Sequence, residues 1–176
     1  MKPAPEAHLL PATEADLPAI AELADVIWRA VYPGIVSTEQ IEFMLARMYA
    51  PDTLRDDVRL RGILFYRLVV AGRLAGFAAL GPTEAAAVWK LHKLYLEPEL
   101  HGRRLGSQLL QHCESEARRL GARRLILAVN KRNARALKAY RRNGFTIAES
   151  VTAAIGGGFV MDDFIMAKDF KQDELE

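Results

Sequence analysis

The sequence predicts an α/β fold, one sheet with helices on both faces, and three observations predict it. Apolar residues recur at helical intervals in some segments and alternate or run unbroken in others, in the order strand, two helices, three strands, helix, strand, helix, two strands. A helical segment lies between two of the middle strands, so the sheet there is partly parallel, because a parallel pair needs a long crossover. Finally, 176 residues with 51% hydrophobic and 26% charged content suffice for a core that needs no disulfide or metal to hold it. One domain is expected over 1–176, with 1–7, which holds two prolines, as a loose lead-in.

The first strand is short, over 8–10. Thr13-Glu14-Ala15-Asp16 has the spacing of a capping box with Asp for the usual Glu. Leu17, Ile20, Leu23, Ala24, Ile27 and Val31 then repeat at helical intervals until Pro33-Gly34 ends the helix. Ser37 opens a second helix with Ile41, Met44, Leu45 and Met48 on one face; Pro51 stops it, and a polar stretch runs to Gly62. Residues 63–70 and 74–80 are β-branched and aromatic runs joined by Ala71-Gly72-Arg73, which reads as a hairpin, and Gly81-Pro82 breaks the second. The third run, 86–96, places Val88, Lys90, His92, Leu94 and Leu96 on one face and Trp89, Leu91, Lys93 and Tyr95 on the other; Pro98 closes it.

After Gly106, the residues Leu109, Leu110, Cys113, Ala117 and Leu120 extend a stripe that starts at Leu105 along an amphipathic helix, and Gly121 closes it. The short apolar run 124–129 reads as a buried strand. A last helix follows Asn133 and stops at Gly144, and 145–153 with 159–167 form a closing strand pair around Gly156-Gly157-Gly158.

Charge is unevenly spread. The net charge is +2, yet 101–145 holds twelve Arg and Lys against Glu114 and Glu116 alone, a local +10 that leaves −8 for the rest. Such a concentration beside glycines and helix starts fits an anionic partner. The single cysteine, Cys113, excludes an intrachain disulfide and a zinc site of paired cysteines. With no signal-like start, that makes a cytoplasmic protein the expectation. No apolar run reaches the roughly 20 residues of a membrane span. His8, His92, His101 and His112 lack metal-ligand spacing, so no metal is expected.

Chemistry concentrates in two segments. LYLEPELHGRRLGSQLL, 94–110, is a strand, a turn with two glycines and a helix beginning near Arg104. Free N–H groups of a first helical turn, the macrodipole and a close-approaching glycine backbone together suit a phosphate, and Arg103 and Arg104 add full charges. An ordinary strand-to-helix loop with a surface arginine pair would look the same. The segment is neither a Walker loop nor a dinucleotide fingerprint. VNKRNARALKAYRRNGF, 129–145, reads as strand end, N-cap Asn133, helix and C-cap Gly144, with Tyr140 nearly two turns on from Asn133. A phenol of pKa near 10 is a workable acid toward a leaving thiolate. Taken alone, a tyrosine two turns into an amphipathic helix is more often a core or boundary residue.

Together these segments resemble the GNAT superfamily of N-acetyltransferases. The family's phosphate loop, [QR]xxGx[GA], aligns with His101, Gly102, Arg103, Arg104, Leu105 and Gly106, where His101 replaces Gln or Arg and Arg104 replaces the middle glycine. The pattern N-x-x-A-x-x-x-Y-x-x-x-G-F is matched without a gap by Asn133, Ala136, Tyr140, Gly144 and Phe145. The resemblance implies a mixed, mostly antiparallel central sheet of about seven strands with helices on both faces, and acetyl coenzyme A as co-substrate. It implies that Leu94, Tyr95 and Leu96 offer backbone groups to the pantetheine amides and that Gly102, Arg103, Arg104, Leu105, Gly106 and Ser107 hold the pyrophosphate. Asn130 and Asn133 would contact the cofactor further along, Arg142 would lie near its phosphates, and Tyr140 would protonate the departing sulfur.

IWRAVY (27–32), the stretch 37–45, LHKLYL (91–96) and IGGGFVMDDFIM (155–166) look more narrowly like the PaiA-like acetyltransferases, some of which act on polyamines. In that family the first helices and last hairpin border the acceptor pocket, which makes Trp28, Tyr32 and one of Asp162 or Asp163 residues that meet an amine. The implied reaction is direct attack of a neutral amine in a ternary complex, with the oxyanion at a backbone N–H near 94–96. For the base the sequence offers Glu84, His92, Glu97 and Glu99 without choosing among them, and Cys113 reads as packing. Rival readings are nucleic-acid binding by the basic segment, which lacks interleaved aromatics and any helix-turn-helix, and a coenzyme A sensor without turnover. The acceptor itself and a homodimer stay open.

Overall fold

The computed structural model describes residues 6–171. In chain order its elements are β1 (Ala7–Pro11), α1 (Leu17–Val31), α2 (Thr38–Met48), α3 (Pro51–Arg59), β2 (Leu64–Val70), β3 (Arg73–Pro82), β4 (Val88–Leu96), α4 (Leu105–Arg119), β5 (Arg124–Asn130), α5 (Ala134–Arg142), β6 (Thr146–Gly156) and β7 (Phe159–Asp169). The strands form one sheet in the order β1-β2-β3-β4-β5-β7-β6. Every neighbouring pair is antiparallel except β4 and β5, which the crossover through α4 makes parallel. This is the mixed, mostly antiparallel α/β sheet that the family resemblance implies.

Two apolar cores lie on either face. One packs Ile20 and Ile27 of α1, Ile41 of α2 and Leu54 of α3 against Phe65 and Phe77. The other packs Leu109, Cys113 and Ala117 of α4 and Leu137 of α5 against Leu91, Leu125 and Met166. Each fully buried aliphatic side chain contributes roughly 1.5–3 kcal/mol. Local signals start the helices as read: Asp16 accepts from the Thr13 N–H at 2.8 Å, and the Ser37 hydroxyl accepts from the Gln40 N–H at 3.1 Å. Ala71 and Gly72, both at positive φ, turn β2 into β3.

Four details differ from the sequence reading. Part of the lead-in, 1–5, lies outside the described residues, and Ala7 already pairs with Val70. Pro51 starts a third helix as well as stopping the second, since its missing N–H is an orphan at a first helical position anyway. That helix was hard to read because it buries only Leu54 and a charge, Asp57. Pro82 does not break β3 but ends it, paired with Trp89; the pairing with β2 has already stopped at Leu64 opposite Leu80, so β3 has a neighbour on one side only there. The strict alternation expected along 86–96 fails at His92, for a reason that shapes the site.

Candidate active site

Ala79 pairs with Lys93 but Leu80 with Leu91, so His92 is an extra residue in β4, a bulge. Leu91 consequently shares the α4-side core with Leu96, whereas Lys93 turns to the opposite face. The bulge also turns β4 away from β5. Their pairing stops at Leu91 and Leu127, after only four residue pairs. Beyond it Leu94, Tyr95 and Leu96 pair with Ala78, Phe77 and Gly76 of β3 and with nothing on the β5 side. Ala128, Val129 and Asn130 pair only with β7. A groove opens between the strands, edged by backbone N–H and C=O groups without strand partners.

At one end of the groove lies the loop into α4. Gly102 has φ 79° and Arg104 φ 62°, both left-handed. A non-glycine residue there costs roughly 1–2 kcal/mol, so Arg104 follows a glycine's path at a modest penalty. No side chain caps α4 and its first turn carries no acid, so the first N–H groups of Leu105, Gly106 and Ser107 have no helical acceptor. Leu105 is buried beneath the loop, and a Cβ placed on Gly106 would lie 4.0 Å from the Leu96 side chain. Arg103, Arg104, Arg135 and Arg142 are exposed and have no carboxylate partner among the described residues. Arg119, Arg124 and Lys131 of the same basic segment do, in Glu116, Asp169 and Asp162. Arg123, Lys138 and Arg141 likewise have no carboxylate partner among the described residues, so part of the segment's unpaired positive charge lies beside the groove. Free backbone N–H groups and unpaired guanidinium groups together suit a polyanion.

His101 is half-buried, its Nε2 3.1 Å from the Leu96 oxygen and its Nδ1 against Arg135. Burial foremost lowers its pKa, with Arg135 adding to that; the Leu96 carbonyl and Glu99 act the other way. Across the groove, Asn130 accepts from the Arg132 N–H at 2.9 Å and Asn133 caps α5 by accepting from the Ala136 N–H at 3.2 Å. Asn143, which the sequence did not single out, donates to the Ser107 hydroxyl at 3.1 Å and ties the end of α5 to the start of α4. Tyr140, half-buried against Phe145, keeps its proton: burial first, then Tyr32 and Cys113, raise its pKa.

On the α1 side of the sheet, the Tyr32 and Tyr95 hydroxyls lie 3.3 Å apart. Trp28, expected to meet substrate, is 1% exposed and stacks against Tyr32 with ring centroids 4.3 Å apart, so it backs the site instead of lining it. The two adjacent aspartates separate as strand geometry requires. Asp162 is exposed and bonded to Lys131 at 2.6 Å and Thr152 at 3.1 Å. Asp163 is 9% exposed, opposite Asn130 of β5, and its Oδ1 has no hydrogen-bond partner. Burial foremost and Asp162 raise its pKa, against Lys90 and Lys131.

The bases left open in the sequence fare worse. Glu97 is held by Arg73, Glu84 and Glu99 are exposed, and burial with Lys90, Lys93 and Arg61 drives His92 down to about 3. Cys113 is fully buried and its thiol is pushed up to about 12 by that burial and by Glu114 and Glu116. Among the described residues no group of three or more His, Cys, Asp or Glu could hold a metal, and no helix is long and apolar enough to cross a membrane.

A sheet opened by a bulge at its one parallel pair, above a helix N-terminus and opposite a protonated tyrosine, defines an acyltransferase of the GNAT type. The model of the acetyltransferase (GNAT) family matches residues 20–145, and the chain belongs to that family of N-acetyltransferases. It is 30% identical over 151 residues, 84% of this chain and 90% of the relative, to spermidine N(1)-acetyltransferase of Thermoplasma acidophilum. The PaiA N-acetyltransferase of that organism, solved in complex with coenzyme A, superimposes with a TM-score of 0.80 at 29% identity, covering 94% of this chain and 99% of the other. A GCN5-related N-acetyltransferase from Rhodopseudomonas palustris shares the fold at 20% identity, with a TM-score of 0.76 over 97% and 98% of the two chains.

Proposed function

We propose that the protein transfers the acetyl group of acetyl coenzyme A to a primary amine, a polyamine in preference, by direct attack in a ternary complex. The observation that carries the acceptor side of this reading is Asp163. A buried carboxylate oxygen without a partner is expensive to maintain, by several kcal/mol for a charged group, and an amine supplies what it lacks. The likeness to a spermidine acetyltransferase favours a polyamine among amines.

The donor lies in the groove, its pantetheine along the free edge of Leu94, Tyr95 and Leu96 and its pyrophosphate over the stretch from Gly102 to Ser107. Asn130, Asn133 and Arg142 complete its surroundings. Both asparagines use their carbonyl oxygens within the protein, so their amide NH2 groups are what they offer. Acetyl coenzyme A supplies the acyl group as a thioester. Tyr32 and Asp163 hold the amine, and Asp163, its pKa raised, takes the ammonium proton directly or through water. A nitrogen–carbon bond forms and the carbon–sulfur bond breaks. A backbone N–H of the free β4 edge faces the developing oxyanion, and Tyr140 gives its proton to the sulfur.

Thiol release from acetyl coenzyme A, followed with spermidine, spermine, simple monoamines and amino acids in turn, tests the reading. Turnover with polyamines well above the monoamines is expected. Binding of the donor without turnover on any amine would replace the enzyme reading with a sensor.

A further inference from the structure

The His101 ring joins three parts of the donor groove. One nitrogen meets the Leu96 carbonyl at the end of β4, and the other meets the guanidinium of Arg135 in the first turn of α5. A guanidinium only donates, so Nδ1 is the acceptor, and the ring proton sits on Nε2 and is donated to Leu96. The ring is therefore neutral and makes both bonds at once. Arg135 reaches His101 from the opposite wall, 34 residues further along the chain, and so spans the groove.

Among the described residues the Arg135 guanidinium bonds only the neutral His101 ring, which leaves its charge unmatched. A cation in the first turn opposes the helix macrodipole, and among the described residues no carboxylate pairs with it. What faces it is the loop that carries Arg103 and Arg104, also without carboxylates, and the uncapped start of α4. Three guanidinium groups and a helix N-terminus around one loop leave a demand for an anion of more than one charge. A guanidinium also presents a planar fork that matches phosphate oxygens two at a time.

We propose that Arg135 is a clamp on the pyrophosphate of the acyl donor and that His101 is the positioning residue that holds it across the groove. The proposal rests on the donor site described above. The pyrophosphate is assigned over the ribose phosphate because the Leu96 tether keeps His101, and with it Arg135, at the mouth of the loop whose amides are free.

The test measures dissociation constants of the full chain for coenzyme A and for 3′-dephospho-coenzyme A by calorimetry. If the wild type binds neither, the donor site itself is wrong. If it binds both, Arg135→Gln is expected to weaken both to the same extent, about tenfold or more for a charge-assisted bond, with an unchanged melting temperature. A loss confined to coenzyme A would seat Arg135 on the ribose phosphate and overturn the assignment; no loss would overturn the clamp. His101→Leu, which can make neither bond, is expected to weaken binding, and to add nothing in a double variant with Arg135→Gln. His101→Gln, whose amide can donate to Leu96 and accept from Arg135, is expected to restore most of the affinity. Additive losses, or a Gln variant as weak as Leu, would remove His101 from the device.

Discussion

The hydroxyls of Tyr32 and Tyr95 lie 3.3 Å apart, which joins the end of α1 to β4 beside the opened groove. Trp28 stacks against the Tyr32 ring and fixes it from behind. Tyr32→Phe keeps that stack and loses one hydrogen bond, at about 1 kcal/mol of stability. Tyr32→Ala removes the wall. It is expected to raise KM for the acceptor amine about tenfold while donor affinity stays within about twofold, a split that uniform binding loss produces. Steady-state kinetics with both substrates varied decides this, and an unchanged acceptor KM would take Tyr32 out of the acceptor site.

Tyr140 retains its proton across the working pH range because burial, Tyr32 and Cys113 all oppose its ionisation. It can therefore donate to a thiolate but cannot serve as a base. Tyr140→Phe keeps the ring against Phe145 and loses the proton, so turnover is expected to fall at least tenfold with coenzyme A affinity nearly intact. Turnover equal to wild type would mean that the thiolate leaves without this acid.

How much of this was legible in the sequence follows from how local each signal is. The cap at Asn133, the C-terminal Gly144 and Tyr140 between them lie within twelve residues and depend on one helix, and they stand where the spacing puts them. The free edge at 94–96 depends on a bulge, and a bulge is a relation between two strands: nothing in β4 alone says that His92 has no counterpart on β3. Alternation therefore misplaced Leu91 relative to Lys93. Arg135 escaped notice because its partner, His101, is near it only in space. Strand periodicity did show that one of Asp162 and Asp163 points inward; choosing between them required the register against Asn130.

Asp163 links acid–base chemistry to stability. Its pKa is raised in the folded protein, so the folded state holds this proton more tightly than the unfolded chain does. The stabilising contribution is complete below the unfolded carboxylate pKa and is lost as pH rises through the folded one. At neutral pH the buried carboxylate is a burden. Asp163→Asn is expected to unfold at a higher temperature than wild type at pH 7, with the gap closing as pH falls toward 4, and to lose most turnover with a polyamine. Thermal unfolding across that pH range is the measurement, and a gap that widens on acidification would reverse the assignment of the shift.

The second buried charge on the sheet is Lys93, and its pair with Asp57 is unequal. Lys93 Nζ lies 3.7 Å from Asp57, under the rings of Tyr49 and Phe65 at 5.3 and 5.9 Å, and both partners are almost wholly buried. Asp57 has a second cation, Arg61, at 2.7 Å, but no second carboxylate pairs with Lys93 among the described residues. Removing one partner of a buried pair costs about 3–5 kcal/mol when the other is stranded, whereas an apolar replacement of a partner whose mate stays paired costs far less. Asp57→Ala strands Lys93 and is expected to lie in that upper range. Lys93→Met leaves Asp57 with Arg61 and fills the same space beside the two rings, so it should cost less than about 1.5 kcal/mol. Urea denaturation of both variants measures the difference. Equal losses would show that Arg61 does not hold Asp57 once Lys93 is gone.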